Sequence, residues 1–178
     1  MALVVFLRGV NVGGHKTFQP TVLAKELAEL DVVNVGAAGT FVVRKPISQA
    51  KLRAELLRRL PFKAEVMICP ARDIINLVSS DPFVNELSGA DIVRFVSVLA
   101  KRPRGKPSLP LSLPADDEWL VKIIAVRDRF LLGLYRRQMR TISLLSQIEK
   151  RLDISSTTRN WNTINAIAKV LEGGGAKR

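Results

Sequence analysis

The apolar residues of this chain recur with two periods. Continuous apolar or β-branched runs mark strands, and leucines three or four apart mark helices. Residues 3–8 are a short apolar run that ends in Arg8 and a loop holding Gly9, Gly13 and Gly14. They predict a buried first strand. Pro20 suits a first helical turn, where its missing N–H costs nothing. Leu23, Leu27 and Leu30 then give a helical stripe ending near Asp31. Val32–Val35 and Thr40–Arg44 predict two strands, as a hairpin or as neighbours, separated by Gly36-Ala-Ala-Gly39. Ser48 is placed to cap a helix with Leu52, Leu56 and Leu60 on one face, closed by Pro61. Glu65–Cys69 predicts a further strand.

Beyond residue 70 the pattern predicts a helix over 71–79 and a long strand over 91–99. Residues 101–118 hold four prolines, four basic residues and then Asp116-Asp117-Glu118. They predict an exposed connection, with an acidic helix start after Pro114 as the best structured alternative. Residues 119–126 and 129–135 predict a hairpin turning at Asp128. Helices are expected over 143–152 and 160–171, with Gly173-Gly-Gly175 ending the second and a frayed Ala176-Lys-Arg178. The class is therefore α+β. A ferredoxin-like βαββαβ subdomain over residues 1–70 is expected to pack with a second α+β subdomain over 71–178 that carries the C-terminal helices.

Composition narrows the chemistry. Cys69 is the sole cysteine and His15 the sole histidine of 178 residues, so an internal disulfide and cysteine- or histidine-based metal sites are excluded. No metal site is expected. No apolar run approaches the roughly 18 residues needed to span a bilayer. The N-terminus reads as a first strand and not as a signal peptide. A cytoplasmic protein with no membrane partner is the expectation. The formal net charge is +12, which points to polyanionic partners, nucleotide or nucleic acid.

Two polar stretches stand out as candidate sites. From Gly9 the sequence runs Gly-Val-Asn-Val-Gly-Gly-His-Lys-Thr. Gly14 falls at P-loop distance from Gly9, but His15 holds the lysine position and the helix begins late, so this is not a P-loop. Backbone N–H groups beside Arg8, Asn11 and His15 can still hold an anion. The second stretch, Thr157-Thr-Arg-Asn-Trp-Asn-Thr163, reads as a polar lead-in to the last helix, with Thr158 or Asn160 as its cap. Arg159 and Asn162 would add charge and amide groups where helix N–H groups attract anions. Trp161 reads as core.

These two stretches resemble the two signatures of the bacterial family known as domain of unknown function 1697. The resemblance extends over nearly the whole chain. It implies an α+β fold built on ferredoxin-like subdomains and supplies no reaction, cofactor or catalytic residue. The sequence departs from the family at His15-Lys16, where Lys-Asn is usual. It also departs at Pro20, one position late, and at Ala38-Gly39-Thr40, where Ser-Gly-Asn is usual. Any contact made by that Ser and Asn is weakened or lost here.

Weaker features have plainer readings. Phe6 and Phe41 lie where RNA-binding sheets stack bases, but read as core. Arg136-Arg137, Arg140 and the Lys101-Arg102/Arg104/Lys106 cluster can line a nucleic-acid surface, although charge runs usually form solvated faces. Cys69 reads as buried. Asp116, Asp117 and Glu118 can be weighed as Mg²⁺ ligands.

The leading expectation is a non-catalytic binding protein for a phosphate-bearing ligand. Its site would draw on Arg8, Gly9, Asn11, Gly13, Gly14, His15, Thr158, Arg159, Asn160 and Asn162. The alternative is an enzyme acting on a small phosphorylated or acidic substrate, with His15 as general base. A third reading makes the two stretches a fastening between the chain's ends.

Overall fold

The computed structural model describes residues 1–105 and 107–173. Lys106 and the expected glycine stop and frayed tail at 174–178 lie outside the described residues. The protein is α+β, with two antiparallel sheets and five α-helices among those residues. It divides into two compact units, Met1–Ser80 with the chain from Asn162 onward, and Asp81–Trp161.

The first unit contains β1 (Leu3–Leu7), α1 (Pro20–Glu26), β2 (Val32–Asn34), β3 (Thr40–Val43), α2 (Gln49–Arg59), β4 (Val66–Pro70) and α3 (Ala71–Ser79). Its sheet order is β2-β3-β1-β4, antiparallel throughout. Both faces of β1 are buried, as its unbroken apolar run requires. One face contributes Leu3, Val5 and Leu7 to a core with Phe41, Leu23 of α1, Leu27 just after it, and Leu52 and Leu56 of α2. The Ser48 hydroxyl accepts a bond from the Lys51 backbone N–H at 3.2 Å and so caps α2 as its position predicts. The expected helix over 20–31 is shorter: α1 stops at Glu26, and a 3-10 turn, Ala28–Leu30, finishes the segment.

The division between units differs from a boundary at residue 70. In α3, Ala71, Ile74 and Leu77 are buried, and its first N–H donates to the Ala2 carbonyl at 3.0 Å. The last helix, α5 (Trp161–Gly173), accepts a bond from the Arg44 guanidinium at the Val170 carbonyl, 3.3 Å. Periodicity shows that a helix has an apolar face. It does not show which sheet that face covers.

The second unit contains β5 (Ile92–Leu99), β6 (Leu111–Leu113), β7 (Val121–Arg127), β8 (Phe130–Arg136), α4 (Arg140–Leu152) and β9 (Ser156–Asn160). The sheet order is β6-β7-β8-β5-β9. The β7–β8 hairpin turns at Asp128, whose φ is 55°. Leu144 and Ile148 of α4 share a core with Phe95, Leu113, Ile123 and Leu131. Gly133 is required beneath Phe95: a Cβ there would lie 2.6 Å from the Lys122 carbonyl oxygen and 2.7 Å from Phe95 Cζ.

Two expectations fail in this unit. The connection over 101–118 contains a strand, β6, pairing Leu111 with Ile123 and Leu113 with Val121. Three residues between prolines are too few for an alternating pattern to register. The acidic stretch forms a turn and no helix, and Glu118 pairs with Arg136 at 3.1 Å.

Candidate functional site

The glycine loop follows directly from β1. At its start the Arg8 backbone N–H donates to the Glu65 carbonyl at 3.0 Å, and its guanidinium reaches the Glu65 carboxylate at 3.0 Å. Residues 11–16 form a small hairpin. The Asn11 N–H bonds the Lys16 carbonyl at 3.2 Å, and the His15 N–H bonds the Val12 carbonyl at 3.0 Å. Gly13 and Gly14 make the turn at φ 57° and 76°, which glycine adopts without steric cost. The Asn11 side chain donates to the Ala37 carbonyl and accepts from the Phe18 N–H, each at 3.0 Å. Arg8, Gly9, Asn11, Gly13, Gly14 and His15 thus share one loop. Its charged and amide groups at Arg8 and Asn11 bond to protein, and His15 is exposed on the turn.

The second stretch is not a capping loop. Residues 156–160 form β9, pairing Thr158 with Ser97 and Arg159 with Val96 of β5. β9 lies at the sheet's edge and gives Thr157 and Arg159 to one face, Thr158 and Asn160 to the other. Hydroxyl-rich sequences serve caps and edge strands alike, which hid the strand. The Thr158 and Ser97 hydroxyls are 2.6 Å apart. Arg159 is buried to 7% exposure, and its Nη1 donates to the Thr157 hydroxyl at 2.7 Å and the Thr158 carbonyl at 2.9 Å. Burial strips water from the guanidinium and lowers its pKa to about 10, which leaves it cationic at neutral pH. Asn160 is exposed at the strand end. Asn162 is exposed in the first turn of α5 and belongs to the other unit.

The larger concave feature lies in the second unit. It is a cleft of about 640 Å³ between residues 101–105 and 107–108, the β6–β7–β8 face and the C-terminal end of α4. Six aliphatic residues line it: Leu111, Ile123, Leu131, Ile148, Leu152 and Ile154. Lys101, Arg104 and Arg151 also line it, all three exposed, together with Asp153. None of the three cations is in a salt bridge among the described residues. Arg151 also sits in the last turn of α4, where Lys150 and Arg151 offset the partial negative charge of the terminal carbonyls. A second cavity of about 160 Å³ shares Leu131, Ile148 and Leu152 with the first, and adds Leu99, Ile142 and Leu145 with the hydroxyls of Ser97, Ser146, Ser156 and Thr158.

Several remaining candidates make contacts within the fold. Arg136 pairs with Asp91 at 2.9 Å, donates to the Trp119 carbonyl and lies 4.5 Å over the Trp119 ring. Phe6 and Phe41 are buried core, and Cys69 is a buried thiol. The Trp161 ring packs edge-on against Phe83 at 5.0 Å. No cluster of three or more His, Cys, Asp or Glu residues suited to a metal occurs among the described residues. No described helix is long and apolar enough to cross a membrane.

The family model described as "Protein of unknown function (DUF1697)" matches residues 1–118. The chain belongs to this family. Within DUF1697 the glycine-loop signature and the basic segment at Lys101–Arg104 fall inside the matched region, whereas β9 and α4, with Arg151, lie beyond it. The chain is similar in fold to the conserved bacterial protein SP0830 from Streptococcus pneumoniae. The two share 18% identity with a TM-score of 0.59, over 96% of this chain and 98% of that one. No curated protein matches the chain.

Sequence reasoning singled out Lys101 and Arg104 as part of a basic run and missed Arg151 and the cleft. Leu111-Ser-Leu113 places both leucines on one face, but three residues between Pro110 and Pro114 are too short a stretch to signal a wall of the cleft.

Proposed function

We propose that this DUF1697 member is a non-catalytic binding protein for a phosphate-bearing ligand, held in the cleft of the second unit. One observation carries the reading: three exposed cations, Lys101, Arg104 and Arg151, flank a concave, mainly aliphatic cavity of about 640 Å³. That size suits a single small molecule. Arginine supplies forked donors that match phosphate oxygens, and lysine a point charge. The net charge of +12 supports the same class of ligand, with nucleotide and nucleic acid as its natural members. A cleft of this size favours a small phosphate-bearing molecule over a polymer. The solitary Cys69 fits a cytoplasmic setting.

Calorimetric titration of the full chain at low salt with AMP, ADP, inorganic phosphate and a short RNA tests this. Binding should weaken about tenfold or more in Arg104→Glu and Arg151→Glu, in proportion to the charge-assisted bonds removed. Absence of binding by every phosphate compound overturns the proposal. The enzymatic alternative draws on Asp153, the one carboxylate among the described lining residues. It requires turnover of a bound phosphoester that Asp153→Asn abolishes.

A further inference from the structure

The walls of the cleft say more about the ligand than its charge does. Proteins that bind a nucleobase commonly stack it on an aromatic face and hydrogen-bond its edge. No aromatic ring lines this cleft among the described residues. The floor is built from β6, β7, β8 and α4 by Leu111, Ile123, Leu131, Ile148 and Leu152. Three of these, Leu131, Ile148 and Leu152, also wall the neighbouring cavity, where Leu99, Ile142 and Leu145 extend the aliphatic surface beside Glu149 and the hydroxyls of Ser97, Ser146, Ser156 and Thr158. A base seated against these five floor side chains would find no hydrogen-bonding group among them, and its polar edge groups there would go unpaired at a cost. A saturated chain has no such groups and gains from each methylene removed from water.

We infer that the phosphate-bearing ligand of this site has an aliphatic body. It is a single-chain alkyl, acyl or prenyl phosphate, its head at Lys101, Arg104 and Arg151 and its chain along the Leu131–Ile148–Leu152 wall. The inference rests on the phosphate reading above and names the class of molecule within it. The headgroup needs charge but little directional readout, which exposed long side chains provide. The chain needs an aliphatic wall, which the β7–β8 face and α4 provide.

The test is calorimetry on the full chain with butyl, hexyl and octyl phosphate below their micellar concentrations. AMP, inorganic phosphate and octyl glucoside are the comparison ligands. Affinity should rise about fourfold for each methylene buried. Octyl phosphate should bind at least tenfold more tightly than AMP or octyl glucoside. Leu152→Gln should flatten the chain-length series, and Arg151→Glu should weaken every phosphate ligand. Circular dichroism confirms folding of each variant, and Leu111→Gln gives a second floor variant. If AMP binds as tightly as octyl phosphate, or chain length has no effect, the aliphatic inference fails and the phosphate reading stands. If octyl glucoside matches octyl phosphate, or no phosphate compound binds, the phosphate reading fails and takes the inference with it.

Discussion

The Asn11 amide and the Ala37 carbonyl are joined by a 3.0 Å hydrogen bond that ties the glycine loop to the turn between β2 and β3. The same side chain accepts from the Phe18 N–H, and the residue sits at φ 54°. Asn11→Ala removes both bonds and places an alanine in the left-handed region. It should destabilise the protein by about 2 kcal/mol. Asn11→Gly should recover only the backbone part. Urea unfolding of the three proteins checks this, and equal stability of Asn11→Ala and wild type would refute a bracing role.

Gly133 and Phe95 are packed so closely that an added methyl group has no room. Its contacts would be a backbone carbonyl and a fully buried ring, neither of which yields easily. Gly133→Ala should therefore cost about 1–3 kcal/mol, although alanine is otherwise the better strand residue. Each kcal/mol should lower the melting temperature by about 2–4 °C in a chain of this size. An unchanged melting temperature would mean that Phe95 repacks freely.

Ser48 holds the first turn of α2 through the Lys51 N–H. Ser48→Ala should lose about 1 kcal/mol, whereas Ser48→Asp should retain most of the stability. Matched denaturant midpoints for serine and alanine would show that water replaces the cap.

Arg159 gives a pH dependence of definite sign. Burial lowers its pKa from the ordinary arginine range to about 10 in the folded chain. Below about pH 10 both states hold the proton, and the desolvation penalty is constant. Above it the unfolded chain keeps a proton that the folded chain has released, so this residue's contribution to stability rises with pH. Wild type should gain on Arg159→Met between pH 9 and pH 11 in urea titrations. A gap that stays constant or reverses contradicts the assignment.

The run Leu3–Leu7 and the leucines of α1 and α2 announce their elements because burial imposes a period on each. Ser48 and Pro20 announce two helix starts, since caps are local chemistry. Ser156–Asn160 does not announce a strand, because its pairing with β5 depends on residues about 60 positions away. The same holds for the candidate sites. Arg8 and Asn11 look like free polar groups in sequence, yet their bonding partners in the fold, Glu65 and Ala37, are distant in the chain.

By itself, then, the sequence determined the α+β class, most element positions, the DUF1697 likeness and the strong positive charge, all of which are local or additive properties. The tertiary structure decided which polar groups are engaged, that α3 and α5 fold with the first sheet, and that β6 and α4 enclose a cleft beside Lys101, Arg104 and Arg151. The reason is physical. A period or a cap is set by neighbours within a few residues, whereas a cavity is set by side chains from separate elements that fail to fill the space between them.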